Sequence, residues 1–184
     1  AQPGDRLLLI KSIPIEATAI MAREFSDRLA GALTPSELQQ ARDYLYWPGI
    51  SVLKAARLAM SSGRVTAMHD PTEGGLASAL WELAEASRCS LVVDLQAIPI
   101  SPLSRTLCNF FKIDPLAAIA SGALLLTTSQ ADVQAIITAN LAEGIDCAVI
   151  GEVVIGPPAV WQASQDGRVL LPRPDRDAIA RLFE

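Results

Sequence analysis

Apolar positions along the chain change their period repeatedly, and the changes mark an alternation of strands and helices. After the turn-like Gln2-Pro3-Gly4-Asp5, the run Arg6-Leu7-Leu8-Leu9-Ile10 reads as a short buried strand. From Ile15 to Leu33, residues Ile20, Met21, Phe25, Leu29 and Leu33 recur at helical spacing, so one long helix is expected. Thr34-Pro35-Ser36-Glu37 carries the capping-box pattern, with proline at the first helical position, and predicts a second helix to about Tyr44. Trp47-Pro48-Gly49 ends it. Ser51 is the expected cap of a third helix that Ser61-Ser62-Gly63 stops. Val65 to Met68 then reads as a strand, and Leu76, Leu80, Leu83 and Ala84 mark a helix to about Ser87.

The second half repeats the alternation. Leu91 to Leu95 and Ala97 to Ile100 look like strands, Pro102 to Phe111 a helix, and Asp114-Pro115 the start of another short helix. Ala123 to Thr128 is an expected strand, followed by a Ser129-capped helix from Gln130 to Glu143 and a strand from Cys147 to Val154. Ala159 to Ala163 and Arg168 to Leu171 form an expected hairpin, with Asp166-Gly167 at its turn. A helix from about Asp175 to Phe183 closes the pattern. The fold class is therefore α/β (α+β): a layered single domain over residues 1–184, its mixed β-sheet covered by helices. Helix crossovers imply parallel neighbours, and the late hairpin adds an antiparallel pair.

Composition narrows the partners. Half the chain is apolar, 19% is charged and the mean hydropathy is +0.31, a balance that suits a surface covered by something else. With 15 Lys and Arg against 20 Asp and Glu and no basic cluster, nucleic acid is not an expected partner. The apolar run Leu116 to Leu126 is broken by Ser121-Gly122 and falls short of the roughly 18–20 residues that span a bilayer, and no signal peptide opens the chain. A cytoplasmic location without a membrane partner is expected. Cys89, Cys108 and Cys147 lie far apart, with one histidine in the chain, so they read as small interior residues and no metal site is expected. No Walker A or Gly-x-Gly-x-x-Gly sequence occurs, so a main nucleotide site would have to lie elsewhere.

Chemistry concentrates in His69-Asp70-Pro71-Thr72-Glu73-Gly74-Gly75-Leu76, at an expected strand-to-helix junction. Such a junction aims backbone amides from the positive end of a helix dipole, and Gly74-Gly75 would let a phosphate or carboxylate come close. Thr72 could cap the helix or bond the ligand. His69 could move a proton, with Asp70 orienting it, binding a metal or acting as a base. Glu73 would repel a bare phosphate, hold magnesium or an amine, or simply favour the helix start. Asp-Pro, Gly-Gly and an N-cap threonine also make ordinary turns, and a His beside an Asp can be a structural pair.

This run resembles the HDPT-x-GGL segment of the superfamily grouping aminoimidazole-ribotide (AIR) synthetase, selenophosphate synthetase, thiamine-monophosphate kinase and the hydrogenase expression/formation protein HypE. Gly4-Asp5, Asp114-Pro115-Leu116 with Ser121-Gly122-Ala123-Leu124-Leu125, and Ile150-Gly151-Glu152-Val153 resemble further blocks of it in the same order. The similarity covers nearly the whole chain and is closest to AIR synthase-related or HypE-like proteins. It implies an AIR synthase C-terminal domain-like fold whose partner is its own N-terminal ATP-binding domain, with a homodimer in the full-length protein. ATP and Mg2+ would be held mostly by that N-terminal domain, and the substrate would be a small-molecule or protein-borne amide activated by phosphorylation of its oxygen. The resemblance assigns His69 and Asp70 as catalytic, and Thr72, Glu73, Gly74 and Gly75 as substrate- or phosphate-binding, with Ser121 and Gly122 as a weaker second patch. Two departures stand out: Glu73 where hydrogenase-maturation members have Arg, and an ending Arg181-Leu182-Phe183-Glu184 without their carbamoyl-accepting cysteine tail. They argue against carbamoyl dehydration. The expected function is the substrate side of an ATP-dependent synthetase or maturation enzyme, inactive as an isolated domain; the alternatives are a non-catalytic phosphate-binding or regulatory module, or a purely structural domain.

Overall fold

Leu7, Leu8, Leu9 and Ile10 are all fully buried, because the strand they form is covered on both faces. The computed structural model describes residues 1–164 and 167–184. Its strands are β1 (Arg6–Ile10), β2 (Val65–His69), β3 (Ser90–Val93), β4 (Leu124–Thr128), β5 (Cys147–Val154), β6 (Ala159–Ser164) and β7 (Gly167–Leu170). Its helices are α1 (Ile15–Glu24), α2 (Pro35–Arg42), α3 (Leu53–Ser62), α4 (Gly75–Ser87), α5 (Pro102–Phe111) and α6 (Val133–Ala142). Among the described residues the strands make one sheet in the order β2-β4-β1-β5-β3-β6-β7. The period-2 alternation of β1 sends Leu7 and Leu9 to a core under α4, and Leu8 and Ile10 to a core under α3 and α6. Each such side chain contributes roughly 2 kcal/mol by leaving water. A third cluster joins α1, α2 and α5 beside the sheet.

The sheet is mixed, as the pattern predicts, but its parallel pairing is not where crossovers suggested. Only β3 and β6 pair in parallel among the described ladders. Helix α4 does return the chain from β2 to a strand of the same direction, β3, and α6 does so from β4 to β5. In both cases other strands have entered the gap: β1 separates β4 from β5, and β4, β1 and β5 separate β2 from β3. A crossover fixes strand direction, not adjacency.

Several boundaries shift for identifiable reasons. The expected long first helix ends at Glu24, where Phe25 leaves helical geometry (φ −121°) and sets its ring 5.6 Å from Phe111 and 5.1 Å from Phe183. Aromatic packing thus overrides the helical period. The capping box at Thr34 and Glu37 forms as read. Ser51 does not cap α3; its carbonyl accepts from Lys11 Nζ at 2.9 Å, alongside those of Pro48 and Gly49. The expected strand at Ala97–Ile100 reduces to a bridge between Ile100 and Ile13, since Asp94 caps a short 3-10 turn there through the Gln96 amide. Asp114 starts a turn instead of a helix, accepting from the Leu116 amide at 2.9 Å. Ser129 donates to Asp132, and α6 begins at Val133. The terminal helix is a 3-10 segment, Ala178–Leu182. The Asp-Gly turn of the last hairpin includes Asp166, which lies outside the described residues.

Two features of this frame bear on the motif. Asp5, 5% exposed, accepts from the Gln2 amide at 2.9 Å and from Thr66 Oγ1 at 2.6 Å. It thereby ties the edge strand β2, which carries His69, to the start of β1. The apolar excess also has a visible outlet: Tyr46, Trp47, Leu53 and Met60 are 74%, 81%, 57% and 69% exposed. Among the described residues no helix is long and apolar enough to cross a membrane.

Candidate active site

The junction between β2 and α4 forms where it was expected, and its glycines are there for backbone reasons. Gly74 (φ +77°) and Gly75 (φ +64°) both take the left-handed conformation that other residues resist. A Cβ on Gly75 would lie 2.5 Å from Leu116 O and 2.6 Å from Ala118 O, so the 116–118 turn packs directly on the start of α4. The Ala77 amide donates to Leu116 O at 2.9 Å, and the Ala178 amide donates to Ala117 O at 2.9 Å. Three segments far apart in sequence therefore meet at this helix start.

The helix-start amides do not point at open space. Gly74 N–H donates to Asp177 Oδ2 at 2.7 Å, and Gly75 N–H donates to Thr72 O at 2.9 Å. Asp177 is 5% exposed, and its other oxygen accepts from the Ile179 amide at 2.9 Å. The anion that the dipole favours is a carboxylate of the chain itself. Thr72 does not cap α4; Gly74 occupies the N-cap position without a side-chain bond. Both Thr72 and Glu73 are exposed and line a shallow cleft of about 270 Å³ with Ser78, Glu82 and Asp175.

His69, at the end of β2, lines a neighbouring cleft of about 520 Å³ with Ala67, Met68, Glu82 and Ala86. Its Nε2 lies 2.5 Å from Glu82 Oε2, while Nδ1 stands 3.8 Å from Asp70 Oδ1, too far for a hydrogen bond. Asp70 therefore does not orient the ring. Glu82, half open to water and shared by both clefts, does. Its only signal in the sequence is helical phase, since Gly75, Ser78 and Glu82 fall at helical spacing on one side of α4. An ion pair this exposed adds only about 0–1 kcal/mol to stability. Asp177 carried no sequence signal for a contact reaching back 103 positions.

Ser121 and Gly122 line neither cleft. Gly122 (φ +105°) packs under the Gly49-Ile50 loop, where a Cβ would meet Gly49 O at 2.7 Å. The smaller cleft is acidic, lined by Glu73, Glu82, Asp175 and Asp177, and its Arg176 pairs with Glu184, while Arg173 pairs with Glu85. These residues do not fit a nucleotide-magnesium complex: the Gly74, Gly75 and Ala77 amides are engaged, carboxylates would repel phosphates, and among the described residues no three candidate ligands cluster.

Two of the three thiols are held un-ionised by their surroundings. Burial pushes Cys108 up to about 12, with Asp114 adding to the shift, and burial alone pushes Cys147 to about 12. A thiolate forms in the native chain only near that pH, whereas the unfolded thiols ionise near 9.0. Iodoacetamide at pH 8 is thus expected to leave both unmodified in the native chain and to alkylate both in urea, as read by mass spectrometry. The sign of the linkage follows: these thiols are neutral in stability below pH 9 and cost stability as pH rises toward 12.

Comparison with known proteins fits this geometry. Over 156 residues the chain is 28% identical to the carbamoyl dehydratase HypE of Rhizobium leguminosarum bv. viciae, covering 84% of this chain and 42% of that protein. The crystal structure of E. coli HypE, a hydrogenase maturation protein, superposes with a TM-score of 0.77 at 22% identity, over 96% of this chain and 52% of that one. A hydrogenase maturation protein HypE in complex with ATP gives 0.72 at 21% identity, over 97% and 53%. The chain thus spans about half the length of the proteins it matches, and the layered fold is theirs. With residues 2–160 matched by the family described as AIR synthase related protein, C-terminal domain, the chain belongs to that family.

Proposed function

We propose that this domain forms the substrate side of an ATP-dependent enzyme of the HypE kind, in which an amide or similar oxygen is activated by phosphorylation. The observation that carries the reading is His69, held by Glu82 on the wall of an open cleft and followed in the chain by the exposed Asp70, beside a helix start whose Gly74 amide is already taken by Asp177. In this reading ATP and magnesium sit on another part of a longer protein, an N-terminal domain that also forms the homodimer. The exposed Tyr46, Trp47, Leu53 and Met60 give such a part an apolar surface to cover. ATP supplies the phosphoryl group from there. His69 accepts a proton from the substrate as its oxygen becomes nucleophilic, Asp70 bonds the substrate beside it, and Thr72 and Glu73 form the rim that it crosses. Gly74 and Gly75 shape the turn that holds these residues, while Gly122 packs on the Gly49-Ile50 loop outside both clefts.

The test is ATP-dependent turnover by the longer protein. His69→Ala is expected to lower it about 100-fold, the lower end of a general base's contribution, and Asp70→Ala to lower it less. Turnover unchanged in both variants would remove these roles. A second reading, a binding or assembly module without chemistry, is favoured by Glu73 and the other acids around the cleft. Calorimetric titration with nucleotides and phosphorylated metabolites separates the two, since tight binding without turnover supports the module.

A further inference from the structure

Among the described residues Glu82 is the one carboxylate within bonding distance of the imidazole, and it stands two helical turns into α4. A carboxylate oxygen can only accept, so the nitrogen facing it carries the hydrogen. Nε2–H is therefore committed to Glu82, whether or not the ring is charged. In the neutral ring that leaves Nδ1 as an acceptor, and it faces Asp70 Oδ1 across 3.8 Å. Two acceptors so placed have nothing to offer each other. A nitrogen carrying two hydrogens, about 2.9 Å from each, would sit roughly 2.2 Å off the line between them and could donate one hydrogen to each.

We propose that Glu82 is the positioning residue of the site: it fixes the ring so that Nδ1 and Asp70 together receive a hydrogen-bond donor of the ligand. The inference rests on the reading of His69 as the proton acceptor and adds to it which nitrogen acts and what the corner selects. It selects an –NH2 or ammonium function over a phosphate oxygen, which would meet two acceptors at this corner. Glu73 lies in the adjoining cleft, where Arg176 is already paired with Glu184, and Arg173 is paired with Glu85.

The chain holds one histidine, so its ring resonances are unambiguous by NMR. In the 15N-labelled chain at neutral pH a slowly exchanging, downfield Nε2–H proton is expected, absent in Glu82→Ala and retained in Glu82→Gln, whose amide oxygen still accepts. A wild-type chain without that proton, or its persistence in Glu82→Ala, overturns the pairing. In the longer protein, Glu82→Ala should lower turnover on the order of 100-fold, as expected when a reacting group is misplaced. It should add nothing to His69→Ala in the double variant, and should move the thermal midpoint by less than about 4 °C, as an exposed pair predicts. Additive losses, or a collapse of the midpoint, would make Glu82 merely structural. Impaired His69→Ala with normal Glu82→Ala rejects the positioning role alone, whereas normal turnover in His69→Ala rejects the functional reading beneath it.

Discussion

Gly75→Ala is expected to destabilise the chain by about 4 kcal/mol, read as a lower urea midpoint with an unchanged slope. Two causes add. The backbone at φ +64° costs a side chain about 1 kcal/mol or more. The new Cβ would also sit 2.5 Å from Leu116 O, 2.6 Å from Ala118 O and 2.9 Å from Ala118 N, all main-chain atoms that no rotamer change can move. Withdrawing the turn would stretch the bond from the Ala77 amide to Leu116 O, an additional loss of roughly 1 kcal/mol. Gly144→Ala is the control. Gly144 has φ +70° but nothing within 4 Å of an added Cβ, so only the backbone cost of about 1 kcal/mol remains. Equal losses at the two positions would show that the packing of the 116–118 turn on α4 does not hold the junction together.

That contact also marks where sequence reasoning stops. Local rules placed β1, α2, α5 and β5 closely, because an apolar run, a capping box and a Ser101-Pro102 helix start act within a few residues. The motif was legible too, since paired glycines at a strand-to-helix junction announce an unusual turn. What escaped depends on distant partners. Phe25 ends α1 early because Phe111 and Phe183 are there to receive its ring. Strand adjacency escaped because direction is set by each crossover but position by which strands fill the gap. Sequence adjacency offers Asp70 as one partner for the imidazole, whereas α4 brings Glu82 to it from 13 positions away. In a helix-covered sheet, the residue that completes a site usually comes from the next element, and its helical phase is the only local trace.

The same lesson gives the second large effect: Asp177→Ala is expected to cost about 3 kcal/mol and lower the thermal midpoint by roughly 6–12 °C. The Asp177 carboxylate, 5% exposed, satisfies the Gly74 amide at 2.7 Å and the Ile179 amide at 2.9 Å. It also places its charge at the positive end of α4. Removing it leaves two buried donors without acceptors, a penalty of about 1–3 kcal/mol each before any relaxation. Asp177→Asn keeps an acceptor for one amide but loses the charge, and should fall between the two. Formate, the carboxylate without its side chain, then tests why the site exists. If the helix start is an anion site that the chain fills itself, millimolar formate should raise the midpoint of Asp177→Ala while leaving the wild type unmoved. A loss below about 1 kcal/mol would mean that water takes over the bonds. A full loss without formate rescue would place the cost in the docking of the Ala178–Leu182 segment, and the apparent readiness of this helix start for phosphate would have no physical basis.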